Sequence, residues 1–259
     1  MEPSVLLEIS NNIAFITLNR PEKFNSFNKE MALKLQAILD DCANDTSIRC
    51  IYLTGNGKAF SAGQDLAELT DDNPPTISQI LSQHYNPIVT RLRNIPLPIV
   101  CAVNGVAAGA GANIALACDV VVASDAASFI QAFSKIGLIP DSGGTFILPR
   151  LIGFQRASAL MMLGDKVSAS EALQIGMIYK VFSKESFKEE SIEIATTLAS
   201  MPTKGLAYTK HVLNQSINRS LEQQLELEDE YQQKSAATKD YNEGVAAFME
   251  KRKPNFIGA

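Results

Sequence analysis

The segment TGNGKAFSAG (54–63) has the residue types of a phosphate-binding turn, because glycines and Lys58 follow an apolar run. A P-loop, however, needs Ser or Thr where Ala59 stands, and it needs its first glycine where Tyr52 stands. The sequence therefore does not predict an ATP site at this segment.

A second glycine-rich segment, GAGANI (109–114), also follows an apolar run and precedes a helical pattern. Ile114 occupies the third glycine position of the dinucleotide-binding fingerprint, which argues against an NAD site. The G-x-S-x-G pattern of hydrolases is absent, and neither His84 nor His211 lies in a recognisable nucleophile–base context. From the residues alone, tight strand-to-helix turns remain an open interpretation of these glycines.

Asp141 is a third candidate for chemistry, in the sequence Ile-Pro-Asp-Ser-Gly-Gly. Pro-Asp-Ser-Gly is a turn sequence, in which the Asp side chain bonds to the turn or caps the helix that follows. Taken by itself, the tetrapeptide favours this structural role over a catalytic one.

Composition places the chain among ordinary globular proteins. It has 259 residues, 46% of them hydrophobic, with a mean hydropathy near zero, so it can bury a large core. No apolar stretch is long enough to span a membrane, and the start MEPSVLLEIS lacks the features of a secretion signal. The net charge of −5 argues against nucleic acid or an anionic membrane as the main partner.

The four cysteines lie in apolar periodic segments without C-x-x-C spacing, and there are only two histidines. This pattern predicts no metal site. We expect buried thiols and a reducing, cytoplasmic location.

Four apolar runs rich in β-branched residues are predicted as strands buried on both faces: IAFITL (13–18), RCIYLT (49–54), PIVCAV (98–103) and DVVVAS (119–124). Between the first two, apolar residues recur at helical spacing after Asn28, a predicted N-cap, which makes a βαβ unit.

The alternation of strands and helices continues to about residue 182, and Ser168 with Glu171 forms a capping-box pattern near its end. Gly176 is predicted to end that helix. From 185 to 251 only helical patterns occur, and DDNPPTIS (71–78) is predicted to be a mobile loop.

Five segments in order resemble the crotonase (enoyl-CoA hydratase/isomerase) superfamily along essentially the whole chain: NRPEKFNSF (19–27), AFSAGQDLAEL (59–69), PIVCAVNGVAAGAGANIALACD (98–119), KIGLIPDSGGTFILPRLIG (135–153) and SASEALQIGMIYKVF (168–182). The resemblance implies an α/β fold, a crotonase-like spiral of ββα repeats over 1–184 with a C-terminal helical trimerisation region over 185–259. It also implies a homotrimer or a hexamer made of two trimers, an acyl-CoA thioester as substrate, and no cofactor beyond the coenzyme A of the substrate.

In this superfamily an enolate forms at the thioester carbonyl, and two backbone N–H groups stabilise its negative charge. By resemblance these oxyanion-hole donors are the N–H groups of Gln64, after the SAG turn, and Ala110, in the GAG turn at a helix N-terminus. Gly63, Gly109 and Gly111 would let the backbone approach the ligand closely.

The resemblance also assigns coenzyme A contacts. Backbone groups of Ala62, Asp65 and Leu66 would contact adenine, with Phe248 as a weaker candidate. Phosphate contacts fall on Lys23, on Lys58 and, from a neighbouring subunit, on Lys251. For each lysine, a purely solvated side chain remains an open alternative.

Hydratases of the superfamily activate water with two carboxylates, and this chain has Asn113 and Phe133 at those two positions in the predicted pocket. Neither side chain can act as a general base, although Asn113 could also be a helix-interior amide satisfied locally. The sequence therefore predicts that the enzyme does not hydrate enoyl thioesters.

At the position of Asp141, hydratases carry a small residue, whereas isomerases of dienoyl thioesters and of ring epoxides carry Asp. Enclosed by Ile139, Phe133 and Phe146, the carboxylate should have a raised pKa and act as a general base. The resemblance thus predicts an isomerase, with no water in the reaction.

The strings around 104–119 and 127–144 look closest to the phenylacetate-pathway branch, which converts the 1,2-epoxide of phenylacetyl-CoA to the oxepin form. Isomerisation of 3-enoyl to 2-enoyl thioesters in fatty acid oxidation uses the same layout and remains an alternative. So does a silent CoA-binding or RNA-binding member, although Asp141 and the acidic balance argue against it.

Overall fold

The computed structural model describes residues 2–70 and 74–259 of the chain. Residues 71–73, the start of the predicted mobile loop, lie outside the described residues. The later part of that segment enters a short helix at Ile77.

Within the described residues, ten strands form two sheets. The larger sheet has the order β1-β2-β3-β5-β7-β10, with strands β1 Val5–Ser10, β2 Ile13–Leu18, β3 Cys50–Gly55, β5 Ile99–Val103, β7 Val120–Ser124 and β10 Lys180–Phe182. The smaller sheet has the order β4-β6-β8-β9, with strands β4 Ala59–Ser61, β6 Val106–Ala108, β8 Ser128–Ile130 and β9 Lys166–Ser168. The β1–β2 and β8–β9 pairs are antiparallel and all other pairs are parallel.

Eleven α-helices lie in the described residues: α1 Lys29–Asn44, α2 Ile77–Gln79, α3 Asn86–Asn94, α4 Ala110–Leu116, α5 Gly144–Ile152, α6 Phe154–Leu163, α7 Ala169–Gln174, α8 Phe187–Ser200, α9 Thr203–Ser216, α10 Leu221–Ala236 and α11 Lys239–Glu250. A π-helix over Ile80–Tyr85 joins α2 to α3. Short 3₁₀ helices occupy Pro21–Lys23, Leu66–Thr70 and Ala132–Ile136.

The two sheets are connected by a repeated ββα pattern. The strand pairs β3–β4, β5–β6 and β7–β8 each place their first strand in the larger sheet and their second in the smaller one, and helices follow each pair. This arrangement is the spiral of ββα repeats expected from the resemblance. Because each pair crosses to the smaller sheet before its helix, the turns after β4, β6 and β8 lie side by side.

All four predicted strands are present within one residue at each end, and most of their side chains are buried. Asn28 caps α1 by accepting a hydrogen bond from Met31 N at 3.0 Å, as predicted. Ser168 caps α7, but the structure shows only half of the predicted capping box, since Glu171 makes no return bond to Ser168. Gly176, with φ +77°, ends α7 as predicted.

Beyond residue 185 the described chain contains helices only, as predicted. Helix α8 packs on the larger sheet, where Ala195 and Ala199 are buried against Tyr52 and Val100. None of the helices among the described residues combines the length and the hydrophobicity needed to cross a membrane.

Candidate active site

A cavity of about 230 Å³ opens where the turns after β4 and β6 meet the 3₁₀ helix that follows β8. Its walls are mainly apolar, with these large side chains: Leu66, Leu69, Ile77, Ile80, Leu81, Phe133, Ile136 and Leu138. The polar side chains that line it are Gln64, Tyr85, Lys135 and Asp141. The volume suits an acyl group rather than a whole coenzyme A.

Gln64 presents a free backbone donor at this cavity. Phe27 N donates to Gly63 O at 2.7 Å, and Asp65 N donates to Phe27 O at 2.8 Å, so the backbone is clamped on both sides of Gln64. The N–H of Gln64 itself has no acceptor among the described residues. It is therefore available to a ligand.

Ala110 supplies a second free donor. It is the first residue of α4, so its N–H has no intrahelical acceptor, and no other described residue accepts from it. Gly109 precedes it with φ +53°, and Gly109 N donates to Ile130 O at 2.9 Å, which ties the turn to β8.

The two turns touch each other, and glycine allows the contact. Gly63 has φ +88°, and a Cβ there would lie 2.9 Å from Ala108 O and 3.4 Å from Ala110 N. A Cβ at Gly111 would lie 2.7 Å from Ser61 Oγ. Side chains at either position would separate the turns, so these glycines keep the two donors together.

Asp141 lies at the same cavity and has few partners. Its Oδ1 accepts a hydrogen bond from Ser142 Oγ at 2.8 Å, and Oδ2 has no hydrogen-bond partner among the described residues. Burial raises the pKa of this carboxyl, while the Ser142 hydroxyl and the backbone amide of Asp141 oppose the rise. A carboxylate with these properties can take up a proton from a ligand in the cavity.

The expected enclosure of Asp141 is wrong in two of its three residues. Phe133 is buried and lines the cavity, but Ile139 is 81% exposed and Phe146 is 48% exposed. Ile139 lies in a loop outside regular structure, and the Phe146 ring stacks under Arg150 on the first turns of α5. Tyr85, on the π-helix, forms part of the cavity wall, whereas Ile139 and Phe146 do not.

The turn at Asp141 exists, but the carboxylate does not make it. Gly144 N donates to the backbone oxygen of Asp141 at 2.9 Å, and the N-cap of α5 is Gly143, with no side-chain capping bond. Ser142 and Gly143 both have positive φ, which carries the chain sharply into α5. The backbone of Asp141 is thus structural while its side chain is free for the cavity.

Of the two residues at the predicted hydratase positions, Phe133 lines the cavity and Asn113 does not. Phe133 lines it, and its ring lies 3.8 Å from the position of a Cβ on Gly109, beside the turn that carries Ala110. Asn113 was predicted as a pocket residue, but it lies behind the wall, 1% exposed. It is held there because its Nδ2 donates to Asp141 O at 2.8 Å and its Oδ1 accepts from Gln131 Nε2 at 2.8 Å.

Among the predicted coenzyme A contacts, Ala62 and Leu66 line the cavity and Asp65 does not. Ala62 N donates to Phe24 O at 2.9 Å and Asp65 N donates to Phe27 O at 2.8 Å, so neither N–H is free for a ligand. The Asp65 carbonyl is also engaged, because it accepts from Glu68 N at 3.1 Å. The Asp65 carboxylate forms a 2.8 Å ion pair with Arg20.

Two of the four remaining contacts are exposed: Lys23, at the end of the 3₁₀ helix Pro21–Lys23, and Lys58, in the turn before β4. The two segments are neighbours, because a Cβ on Gly57 would lie 3.0 Å from Pro21 Cβ. Phe248 and Lys251 are exposed at the end of α11, and neither lines the cavity of its own chain.

Sequence reasoning missed Tyr85 and Glu68. Tyr85 Oη donates to Gln64 Oε1 at 2.7 Å, and Gln64 Nε2 donates to Glu68 Oε2 at 2.8 Å. Tyr85 is only 1% exposed and burial raises its pKa well above the ordinary value, so the hydroxyl stays protonated. The only local signal was one aromatic residue in the polar stretch SQHYN (82–86), which has no hydrophobic periodicity.

Comparison with known proteins gives consistent matches over the whole chain. The sequence profile described as Enoyl-CoA hydratase/isomerase matches residues 8–259. A relative from Escherichia coli K12 named 1,2-epoxyphenylacetyl-CoA isomerase is 45% identical, covering 98% of each chain. A relative from Streptococcus mutans named trans-2-decenoyl-[acyl-carrier-protein] isomerase is 37% identical, again covering 98% of each.

Among solved structures, the enoyl-CoA hydratase of Bacillus anthracis superposes with a TM-score of 0.92 at 33% identity, covering 99% of this chain and all of that one. Names of similar proteins therefore include both isomerases and hydratases. The residues at the cavity must distinguish between the two reactions.

Proposed function

The chain belongs to the enoyl-CoA hydratase/isomerase family, and we propose that it is an isomerase that moves a proton within an acyl-CoA thioester, with Asp141 as general base. One observation carries the proposal. Among the described residues, Asp141 is the only carboxylate that lines the cavity.

The proposed reaction needs only groups that the cavity supplies. The carboxylate of Asp141 takes a proton from C2, and the electron pair of the C–H bond moves toward the thioester oxygen. The N–H groups of Gln64 and Ala110 stabilise the resulting enolate. When the carbonyl re-forms, the electron pair takes the same proton from Asp141 at another carbon, so substrate and product are isomers.

Hydration in this family uses two carboxylates to activate water, and among the described residues Asp141 is the only carboxylate at the cavity. The predicted hydratase positions hold the ring of Phe133 and, behind the wall, the amide of Asn113. A ring at this position also occupies the space of a water molecule. These contacts support isomerisation over hydration.

For the acyl group we propose the ring 1,2-epoxide of phenylacetyl-CoA, which would rearrange to the oxepin form. The support is the 45% identical relative named for this substrate and the apolar cavity that accepts a ring. The oxepin ring forms when the ring carbon–carbon bond bridged by the epoxide oxygen breaks and its electrons join the ring double bonds. Asp141 then removes the C2 proton to give an enolate conjugated with those double bonds, and it returns the proton to a ring carbon.

A second candidate is isomerisation of a carbon–carbon double bond in a fatty acyl thioester, between the 3-enoyl and 2-enoyl forms. The 37% identical relative named as a decenoyl isomerase favours it, and the apolar cavity also accepts an alkyl chain.

The test is a comparison of kcat/KM for the ring-epoxide thioester and for 3-enoyl-CoA thioesters of six to ten carbons, with crotonyl-CoA hydration measured alongside. We expect the highest value for the ring epoxide and no useful hydration. Highest activity on a 3-enoyl chain would select the second candidate, and rapid loss of enoyl absorbance from crotonyl-CoA would reject the isomerase proposal.

We also propose that the protein is a trimer or a hexamer, because the C-terminal helices carry large apolar side chains that their own chain leaves exposed. They include Leu213, Leu221, Leu225, Phe248 and Met249, which are 54–81% exposed. In such an assembly a neighbouring chain would bring Phe248 and Lys251 to the coenzyme A. A monomeric mass in light scattering at micromolar concentration would reject this.

A further inference from the structure

The oxyanion donor of Gln64 lies in the peptide unit that joins Gly63 to Gln64. The carbonyl side of this peptide is held, because Phe27 N donates to Gly63 O at 2.7 Å. The direction of the N–H also depends on the Cα of Gln64, on whose far side Asp65 N donates to Phe27 O at 2.8 Å. Contacts of the Gln64 side chain act on the same Cα, so they bear on the direction of the donor.

The side chain of Gln64 is fixed at both ends of its amide. Tyr85 Oη donates to Oε1 at 2.7 Å, and Nε2 donates to Glu68 Oε2 at 2.8 Å. The other oxygen of Glu68 accepts from Lys29 N at 2.8 Å, at the first turn of α1, where a carboxylate is favoured by the helix dipole. Two elements therefore bind the glutamine amide, the π-helix through Tyr85 and a 3₁₀ helix through Glu68, and α1 in turn holds Glu68.

The backbone that carries Tyr85 departs from regular helix. Residues 80–85 form a π-helix, in which Asn86 N donates to Leu81 O, five residues back. Gln36 from α1 donates to the carbonyls of Gln83 and His84, at 2.7 and 3.2 Å. Such wide turns are rare and occur frequently at functional sites. Here the wide turn ends at Tyr85, with the hydroxyl at hydrogen-bond distance from Gln64.

We propose that Tyr85 and Glu68 are positioning residues that hold the Gln64 side chain and, through it, the direction of the Gln64 backbone N–H. This inference rests on the proposed function, because that function assigns the N–H its role. Burial keeps the Tyr85 hydroxyl protonated, so it always donates to Oε1, and this leaves Nε2 for Glu68.

The test compares Tyr85→Phe with Tyr52→Phe as matched control. Tyr52 is also buried, at 4% exposure, and its hydroxyl makes one 2.8 Å hydrogen bond, to Ser191, away from the cavity. Both substitutions remove one buried hydroxyl. The probe is phenylacetyl-CoA with ¹³C at the thioester carbonyl, whose stretching frequency falls when an oxyanion hole polarises it.

We expect Tyr85→Phe to lower kcat by about 10-fold, less than the loss of a whole oxyanion donor, and to reduce the carbonyl frequency shift. Binding of phenylacetyl-CoA should stay within about two-fold, because the interaction acts in the transition state. Glu68→Gln should also lower kcat and reduce the carbonyl frequency shift, each by a smaller amount than Tyr85→Phe. Tyr52→Phe should have the kcat and the carbonyl frequency shift of the parent.

Tyr85→Phe with parental kcat and a parental carbonyl shift would overturn the inference. Weaker binding of phenylacetyl-CoA by Tyr85→Phe with unchanged kcat would also overturn it, because Tyr85 would then contribute to binding only. Failure of the proposed function looks different: the parent itself would then show no carbonyl shift, and neither donor would have its assigned role.

Discussion

Asp119 and Asp141 are two carboxylates that the fold partly shields from water, and they have different partners. Asp119 Oδ2 lies 2.8 Å from Lys210 Nζ and accepts from Ile99 N at 2.9 Å, with Arg93 3.5 Å from Oδ1. This cluster joins the strands of the larger sheet to α9 of the helical region. The carboxylate therefore faces one ammonium, one guanidinium and one backbone N–H.

Asp141 has no cationic partner among the residues that the structure describes. Its only side-chain hydrogen bond comes from the neutral hydroxyl of Ser142, and no described Lys or Arg forms an ion pair with it. Burial consequently raises its pKa.

The comparison separates two uses of a buried carboxylate. With a cation and a backbone donor, the charge is stabilised and its removal damages the fold. Without a cation, the charged form is disfavoured and the group readily accepts a proton, which is typical of a general base. Burial alone does not distinguish these cases, whereas the partners do.

The largest expected effect is on turnover by Asp141→Asn. Loss of the base should lower kcat by about 10²- to 10⁴-fold, because no second carboxylate lines the described cavity. The raised pKa means that folding disfavours the ionised form, so a stability contribution is lost as pH rises through the folded pKa. The melting temperature of the variant at neutral pH should therefore equal or exceed that of the parent.

Calorimetry and steady-state kinetics check this pair of expectations. If Asp141 were a turn residue only, Asn would serve equally well and activity would be nearly parental.

The next largest expected effect is on stability, and it concerns Asp119, the carboxylate that has cationic partners. Lys210→Met leaves Asp119 without its nearest cation and should cost about 2–3 kcal/mol of unfolding free energy, measured by urea denaturation. The value is less than for a fully isolated charge because Ile99 N and Arg93 remain. Activity per folded molecule should be unchanged. Lost turnover at parental stability would show that this cluster acts on the reaction.

A smaller effect is expected from Asn113→Asp, which restores a carboxylate at a predicted hydratase position. It should not create hydratase activity, because the side chain faces the backbone oxygen of Asp141 and not the cavity. Loss of that donated hydrogen bond should displace the Asp141 turn and lower isomerase kcat by about 10-fold.

Asn19→Asp is the matched control for this variant. Asn19 is also buried, donates to Pro3 O at 3.0 Å and accepts from the Asn56 amide at 2.8 Å, and none of these three residues lines the cavity. It should retain parental kcat. Measurable hydration of crotonyl-CoA by Asn113→Asp would contradict the placement of Asn113.

The smallest expected effect is a shift in pH dependence. The base must be ionised, so kcat/KM should fall as pH drops through the raised pKa of Asp141. Ser142→Ala removes the hydroxyl that opposes the rise in the Asp141 pKa, so the acid limb of the profile should move to higher pH. An acid limb at the same pH in both proteins would assign it to another group.

Local sequence signals predicted much of the fold. Apolar β-branched runs located four strands of the larger sheet, and Asn28 located the start of α1. The smaller sheet was missed because its strands are three residues long, too short for a periodic pattern.

The site was predicted in part, because backbone donors depend on local turns whereas side-chain contacts depend on tertiary packing. Gln64 and Ala110 follow glycine turns that a resemblance can align. The contact of Asn113 with the Asp141 backbone spans 28 residues, and that of Tyr85 with Gln64 spans 21, so neither could be read from local pattern.

The most direct test of the central claim is exchange of the C2 protons of phenylacetyl-CoA into deuterated water, followed by NMR with the parent, Asp141→Asn and Lys210→Met. Exchange needs only proton removal and the oxyanion donors, so it does not depend on the native acyl group. We predict exchange with the parent and with folded Lys210→Met, and none above background with Asp141→Asn while it still binds phenylacetyl-CoA. Exchange at the parental rate in Asp141→Asn would show that another group takes the proton and would contradict the account.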